Sequence, residues 1–159
     1  MDDLVQFLRA RLDEEEHLAK NAADHAAGAI AGKARKAGRF DPPYDGNRWA
    51  NDYDHVFALD GREGQPRMVQ IADCGGAAYH LTPHIAHHDP ARVLAEVDAK
   101  RRLLNEYEAA RRAAANSDQD NFDYADAWVH ALAHALRFQA LPYAEHEEYL
   151  DMWRPRVED

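Results

Sequence analysis

Apolar residues recur at helical spacing along both ends of the sequence, and residues 48–73 between them have a strand-like pattern. Leu4, Leu8 and Leu12 begin a stripe that continues through alanines spaced three, four and seven residues apart. This spacing lines one side of a 3.6-residue helix. It predicts a first helix over residues 2–37, which ends before a proline-rich turn sequence.

The middle segment is rich in residues that favour strands. Aromatic and β-branched side chains fill residues 48–59 and 67–73, and an Asp60-Gly61 turn sequence follows the first of these runs. The pattern predicts an antiparallel β-hairpin over residues 48–74. Because a two-stranded hairpin is marginally stable alone, we expect it to pack against a helix.

The remainder of the chain is predicted to be helical. Thr82-Pro83 and Asp89-Pro90 each place an N-capping side chain directly before a proline, which is typical of a helix start. The predicted helices cover residues 83–88, 90–115, 121–140 and 144–152. The sequence therefore predicts a mostly helical α+β protein with a single domain over residues 1–159, built from an N-terminal helix, an antiparallel hairpin and two long C-terminal helices.

The net charge of −10 over 159 residues limits the classes of partner. Residues 116–159 hold ten acidic and three basic residues, and such a field repels phosphate backbones, so general nucleic-acid binding is not expected. The sequence has no run of about 18 apolar residues, which argues against membrane insertion. Cys74 is the single cysteine, and the start lacks a signal-peptide pattern; both are expected of a protein in a reducing cytoplasm.

Three blocks of sequence carry a resemblance to a known family. They are the opening MDDLVQFLRARLDEE, the segment HIAHHDPARVLAEVDAKRRLL from residue 84, and the segment ALPYAEHEEYLDMWRP from residue 140. In this order they resemble a family of small uncharacterised proteins from actinobacteria and their phages and prophages. The resemblance implies an accessory protein of phage or prophage type, and it brings no activity, cofactor or catalytic residue.

The predicted helix over residues 121–140 also carries a row of potential metal ligands. Asp126, His130 and His134 are four residues apart and therefore share one face of a helix. A carboxylate and two imidazoles are donors that suit zinc and related divalent cations. His84 or His87 is a candidate for a further ligand. On the same helix we expect a buried side that contains Tyr124, Ala125, Trp128, Leu132, Ala135 and Leu136.

No complete catalytic motif is present, so no catalytic residue and no cofactor is assigned. The leading hypothesis is an accessory protein that binds a host macromolecule, and the expected partner is a host protein. One alternative is a metal-binding protein or metal-dependent hydrolase that uses Asp126, His130 and His134. Another is an acidic DNA mimic or anti-repressor. The alanine-rich helical stripes fit packing within one chain or in a homodimer.

Overall fold

The computed structural model describes residues 1–39, 44–60, 67–76, 79–117 and 122–155. Within these ranges four α-helices and a three-stranded antiparallel sheet follow one another along the chain. The α+β class, the N-terminal helix and the two long C-terminal helices are confirmed. The elements are α1 (Asp2–Lys36), β1 (Arg48–Asp52), β2 (His55–Asp60), β3 (Arg67–Asp73), α2 (Thr82–His87), α3 (Pro90–Ala115) and α4 (Phe122–Ala140), with short 3-10 helices at Leu141–Tyr143 and Asp151–Trp153.

Backbone contacts divide the chain into two compact units. One unit comprises Glu15–Glu96, and the other comprises Met1–Glu14 together with Val97–Asp159. The helices α1 and α3 each contribute residues to both units. The single domain over residues 1–159 stays a prediction.

The unit Glu15–Glu96 packs its sheet on α1. The strands lie in the order β1-β2-β3, so β2 is central. Val56 and Ala58, two residues apart on β2, are fully buried because alternate residues of a strand face the same side. Ala58 joins a core cluster with Ala26 and Ile30 of α1. The partly buried residues packed against this cluster are Tyr44, Trp49, Val69 and Ile71.

The predicted first strand of the hairpin is in fact two strands. Asp52 pairs with His55, so the chain reverses within a tight turn at Tyr53 and Asp54. Tyr53 has a φ of 52°, in the left-handed region that non-glycine residues rarely adopt. The prediction of one continuous strand over residues 48–59 was wrong because the strand-forming residues of this segment outweighed Asn51, Asp52 and Asp54, which are residue types that favour turns.

The other unit gathers aromatic rings around Phe7. Its ring centroid lies 6.1 Å from that of Tyr143, 6.0 Å from Tyr149 and 5.0 Å from Trp153, and it also contacts the ring of His146. Trp153 is buried, with 5% of its surface exposed. The C-terminal segment is thereby held on the first turns of α1.

The predicted helix over residues 144–152 is absent, and the segment from Leu141 to Trp153 forms turns between two 3-10 helices. The backbone N–H of His146 donates to the Tyr143 carbonyl at 2.9 Å, which is an i to i+3 bond. The Nδ1 atom of His146 accepts the N–H of Glu148 at 3.1 Å. Because that side chain competes for a donor that an α-helix needs, the helical prediction was wrong here.

The start of α3 follows the predicted capping pattern. Asp89 Oδ1 accepts the backbone N–H of Arg92 at 2.8 Å, which satisfies a donor that a helix start leaves unpaired. The other carboxylate oxygen accepts the Trp49 N–H at 3.3 Å and so links the cap to β1. Among the described residues, no helix combines the length and apolar character needed to cross a membrane.

Candidate functional site

The exposed side of α4 carries large aromatic residues. Tyr124 is 80% exposed, Trp128 is 52% exposed and Phe138 is 53% exposed. Ala127, Ala131, His134 and Ala135 fall on the same side at 100° per residue. These seven residues are called the aromatic face of α4: Tyr124, Ala127, Trp128, Ala131, His134, Ala135 and Phe138.

The buried side of α4 is rotated from the predicted one. Leu132, Leu136 and Ala140 point inward, with at most 7% of their surface exposed. Tyr124 lies about 120° around the helix from Leu136, and Trp128 about 80°. The prediction that these two aromatic residues are buried was wrong. The helix is apolar on more than one side, and tertiary contacts bury the side that carries Leu132 and Leu136.

The predicted metal row runs along one edge of this face, and its third member, His134, belongs to both. Asp126 Oδ2 is 3.4 Å from His130 Nε2, and the His130 side chain is 78% exposed. The His134 ring packs against Phe138, with centroids 4.9 Å apart. The structure therefore pairs Asp126 with His130, while His134 contacts an aromatic ring.

A different group of donors converges at one end of the sheet. Asp54, His55 and Asp73 each offer one ligand atom, and these atoms lie within 4.8 Å of one another. His55 Nδ1 is 2.6 Å from Asp54 Oδ1, and His55 Nε2 is 3.9 Å from Asp73 Oδ2. The imidazole thus lies between two carboxylates. Such a carboxylate–histidine arrangement is common where one carboxylate orients a ring whose other nitrogen binds a metal.

The backbone around this group is well anchored. His55 pairs with Asp73 across β2 and β3. The Cys74 N–H donates to the Asp54 carbonyl at 2.8 Å, and the Gly75 N–H donates to Asp73 Oδ1 at 2.9 Å. Asp54 lies in the unpredicted turn and His55 directly follows it, so sequence reasoning missed this group.

Thr82 holds the same turn from α2. Its hydroxyl lies 2.6 Å from the Tyr53 carbonyl oxygen and 2.9 Å from that of Tyr79, and the residue is fully buried. The rings of Tyr53 and Tyr79 stack with an interplanar angle of 2° and centroids 5.3 Å apart. The hydroxyl and the stacked rings together fix the end of the hairpin.

The histidines considered as further metal ligands make other contacts. His87 is hydrogen-bonded to Arg92. The His84 carbonyl accepts a hydrogen bond from the His88 N–H and lies 2.9 Å from His88 Nδ1. These residues close the short helix α2 and lead into the Asp89 cap.

The family comparison covers nearly the whole chain. Residues 1–155 match the model of a family of unknown function, DUF6221. The chain belongs to this family. No match was found among curated proteins or among solved structures. In this DUF6221 protein the segment from residue 140 supplies the rings around Phe7, and Asp89 from the block at residue 84 caps α3.

Proposed function

We propose that this protein acts by binding another protein through the aromatic face of α4. The observation that carries the proposal is the exposure of Tyr124, Trp128 and Phe138 on one side of one helix. Tyrosine and tryptophan are enriched among the residues that dominate binding energy at protein interfaces. Contiguous exposed apolar surface on a folded chain commonly marks such an interface.

The three rings also have the right spacing for helix packing. Tyr124 and Trp128 are four residues apart and Phe138 is fourteen residues after Tyr124, so all three lie within about 80° of one another around the helix. The other residues of the aromatic face are three alanines and His134, and the small alanines let a partner approach the helix backbone closely. We expect the partner to contribute an apolar helix face. A role as a phage or prophage accessory protein with a host protein as partner remains part of this proposal.

A site-specific cross-linking experiment tests this proposal. A photoreactive phenylalanine analogue replaces Tyr124 in one preparation and Leu18 in another, since Leu18 is an exposed apolar residue of α1 (68% exposed). Irradiation in a cell extract should give discrete species in which position 124 is cross-linked to another protein. The Trp128→Ser change should lower the yield of these species at least about tenfold, because an interface anchor is lost. Equal cross-linking from both positions would contradict the proposal.

A second candidate function is divalent cation binding by Asp54, His55 and Asp73. The convergence of these three donors favours it, and mixed imidazole and carboxylate ligands suit zinc, nickel and manganese. This proposal moves the metal alternative from the α4 row to the end of the sheet. We expect Asp54 to orient the His55 ring while His55 Nε2 and Asp73 bind the cation.

Equilibrium dialysis against zinc and against manganese tests the cation site. His55→Gln should weaken binding at least about tenfold, because one of few protein ligands is lost. The control is His130→Ala, which should leave binding unchanged. Binding that is lost in His130→Ala and retained in His55→Gln would instead favour Asp126, His130 and His134.

Ion pairs in the acidic C-terminal segment argue against the hypothesis of an acidic DNA mimic or anti-repressor. Carboxylates of residues 116–159 lie near cationic side chains: Glu148 lies 3.5 Å from Arg11, and Asp151 lies 3.8 Å from Arg154. A carboxylate beside a cation presents less net negative charge to a DNA-binding protein. An electrophoretic competition assay with a panel of repressors tests this reading.

A further inference from the structure

The aromatic face of α4 has the residue spacing of one helix of a coiled coil. Tyr124, Ala131 and Phe138 follow one another at intervals of seven. Ala127 and His134 lie three residues after the first two of these, and each is followed directly by another member of the face. This alternation of three and four is the heptad pattern by which two helices pack along one seam.

The order of residues along this face is self-complementary about Ala131. Aromatic rings lie seven residues before and after it, at Tyr124 and Phe138. Trp128 and His134 lie three residues before and after it, and alanines lie at four residues in each direction. A two-fold axis near Ala131 would therefore place a ring of one copy beside a ring of the other, with alanines in the middle where the helices come closest.

Charge selects the antiparallel direction. Asp123, in the first turn of α4, and Arg137, in the last turn, are fourteen residues apart and flank the same side of the aromatic face. In an antiparallel pair the Asp123 carboxylate of one copy lies near the Arg137 guanidinium of the other, and the same contact occurs twice. In a parallel pair this flank would face the opposite flank of the partner helix, so neither of these contacts would form.

The surface available is adequate for a reversible dimer. An aromatic side chain buries about 150–250 Å², so the exposed fractions of three rings on each of two copies supply roughly 700 Å². The alanines and His134 bring the total toward the roughly 1,000 Å² that a specific interface needs. We infer that the partner of this face is a second copy of the chain, bound through antiparallel packing of α4 on α4. This inference rests on the proposed function: it names the occupant of the aromatic face in the free protein, which a host protein would have to displace.

Sedimentation velocity over a hundredfold range of protein concentration tests the inference. The wild-type chain should shift from monomer to dimer, and Trp128→Ser should weaken the dimer at least about tenfold, as expected for an interface anchor. Leu18→Ala removes an exposed apolar residue elsewhere and should leave the equilibrium unchanged. Asp123→Arg should weaken the dimer, and the double variant Asp123→Arg with Arg137→Asp should restore it.

Cysteine cross-linking tests the direction in a Cys74→Ser background. An equimolar mixture of Ala127→Cys and Ala135→Cys chains should form mixed disulfides more readily than either chain alone, since an antiparallel seam brings these positions together. Stronger self-cross-linking of Ala127→Cys would overturn the antiparallel arrangement. A monomer at every concentration would overturn the inference; if position 124 then still cross-links to another protein in an extract, the proposed function stands without it.

Discussion

The Trp153 ring packs against the Phe7 ring with centroids 5.0 Å apart, which joins the C-terminal segment to the second turn of α1. Tyr149 contacts both rings, and its centroid lies 5.6 Å from that of Trp153. The buried guanidinium of Arg11 reinforces the junction through its ion pair with Glu148 and its position 5.4 Å from the centroid of the Phe7 ring. The segment is therefore an integral part of the core around Phe7.

Trp153→Ala should lower the free energy of unfolding by about 3–5 kcal/mol, because a buried aromatic ring is lost and leaves a cavity. The matched control is Met152→Ala, since Met152 is 77% exposed. It should change that free energy by less than about 0.5 kcal/mol. Urea denaturation followed by circular dichroism measures both changes, and equal effects would refute the packing described for Trp153.

A second pair of variants tests the rotation of α4. Leu136→Ala should cost about 2–5 kcal/mol of unfolding free energy, because Leu136 is fully buried. Trp128→Ser should cost the monomer less than Leu136→Ala does, because about half of Trp128 already faces solvent. The measurement is made at low protein concentration, where a dimer would be dissociated. A larger loss in Trp128→Ser than in Leu136→Ala would restore the orientation predicted from the sequence.

The local sequence predicts the long helices of this protein, but it does not predict which side of α4 is buried. The helices that begin at Asp2 and Pro90 were predicted closely because periodicity and capping are local properties of the chain. The inward edge of α4 could not be predicted, since Trp128 and Leu132 are both apolar and only tertiary packing distinguishes them. The group at Asp54 and Asp73 was missed because it depends on strand register and on a left-handed turn residue that local sequence does not reveal.

Thr82→Val tests the anchoring of the hairpin end. Valine has nearly the same shape as threonine but has no hydroxyl to donate to either the Tyr53 or the Tyr79 carbonyl, so unfolding free energy should fall by about 1–3 kcal/mol. Thr82→Ser keeps the hydroxyl and should cost less. Because the turn positions Asp54, zinc binding should also weaken in Thr82→Val. A valine variant as stable as the serine variant would argue against this role for the hydroxyl.

Two glycine substitutions should have opposite effects on stability. A Cβ atom at Gly46 would lie 2.1 Å from the Ala23 carbonyl oxygen and 2.5 Å from the Ala27 nitrogen, so Gly46→Ala must displace backbone. We expect a loss of more than about 2 kcal/mol, comparable with other overpacked sites. Gly28→Ala has open space around it within α1 and should stabilise the chain by up to about 1 kcal/mol. Thermal denaturation of both variants provides the comparison; a stabilised Gly46→Ala chain would contradict the close approach.

The contact at Gly46 also limits how sequences with this fold can diverge. The main chain of the segment that leads into β1 lies directly against the main chain of α1 at Gly46. The space beside the Gly46 Cα holds a hydrogen atom but no larger group. Neighbouring loop positions can exchange their side chains while this spacing is kept. A homologous sequence with any other residue at position 46 must carry a compensating shift of its first helix, so that single position would identify a structurally distinct branch of the family.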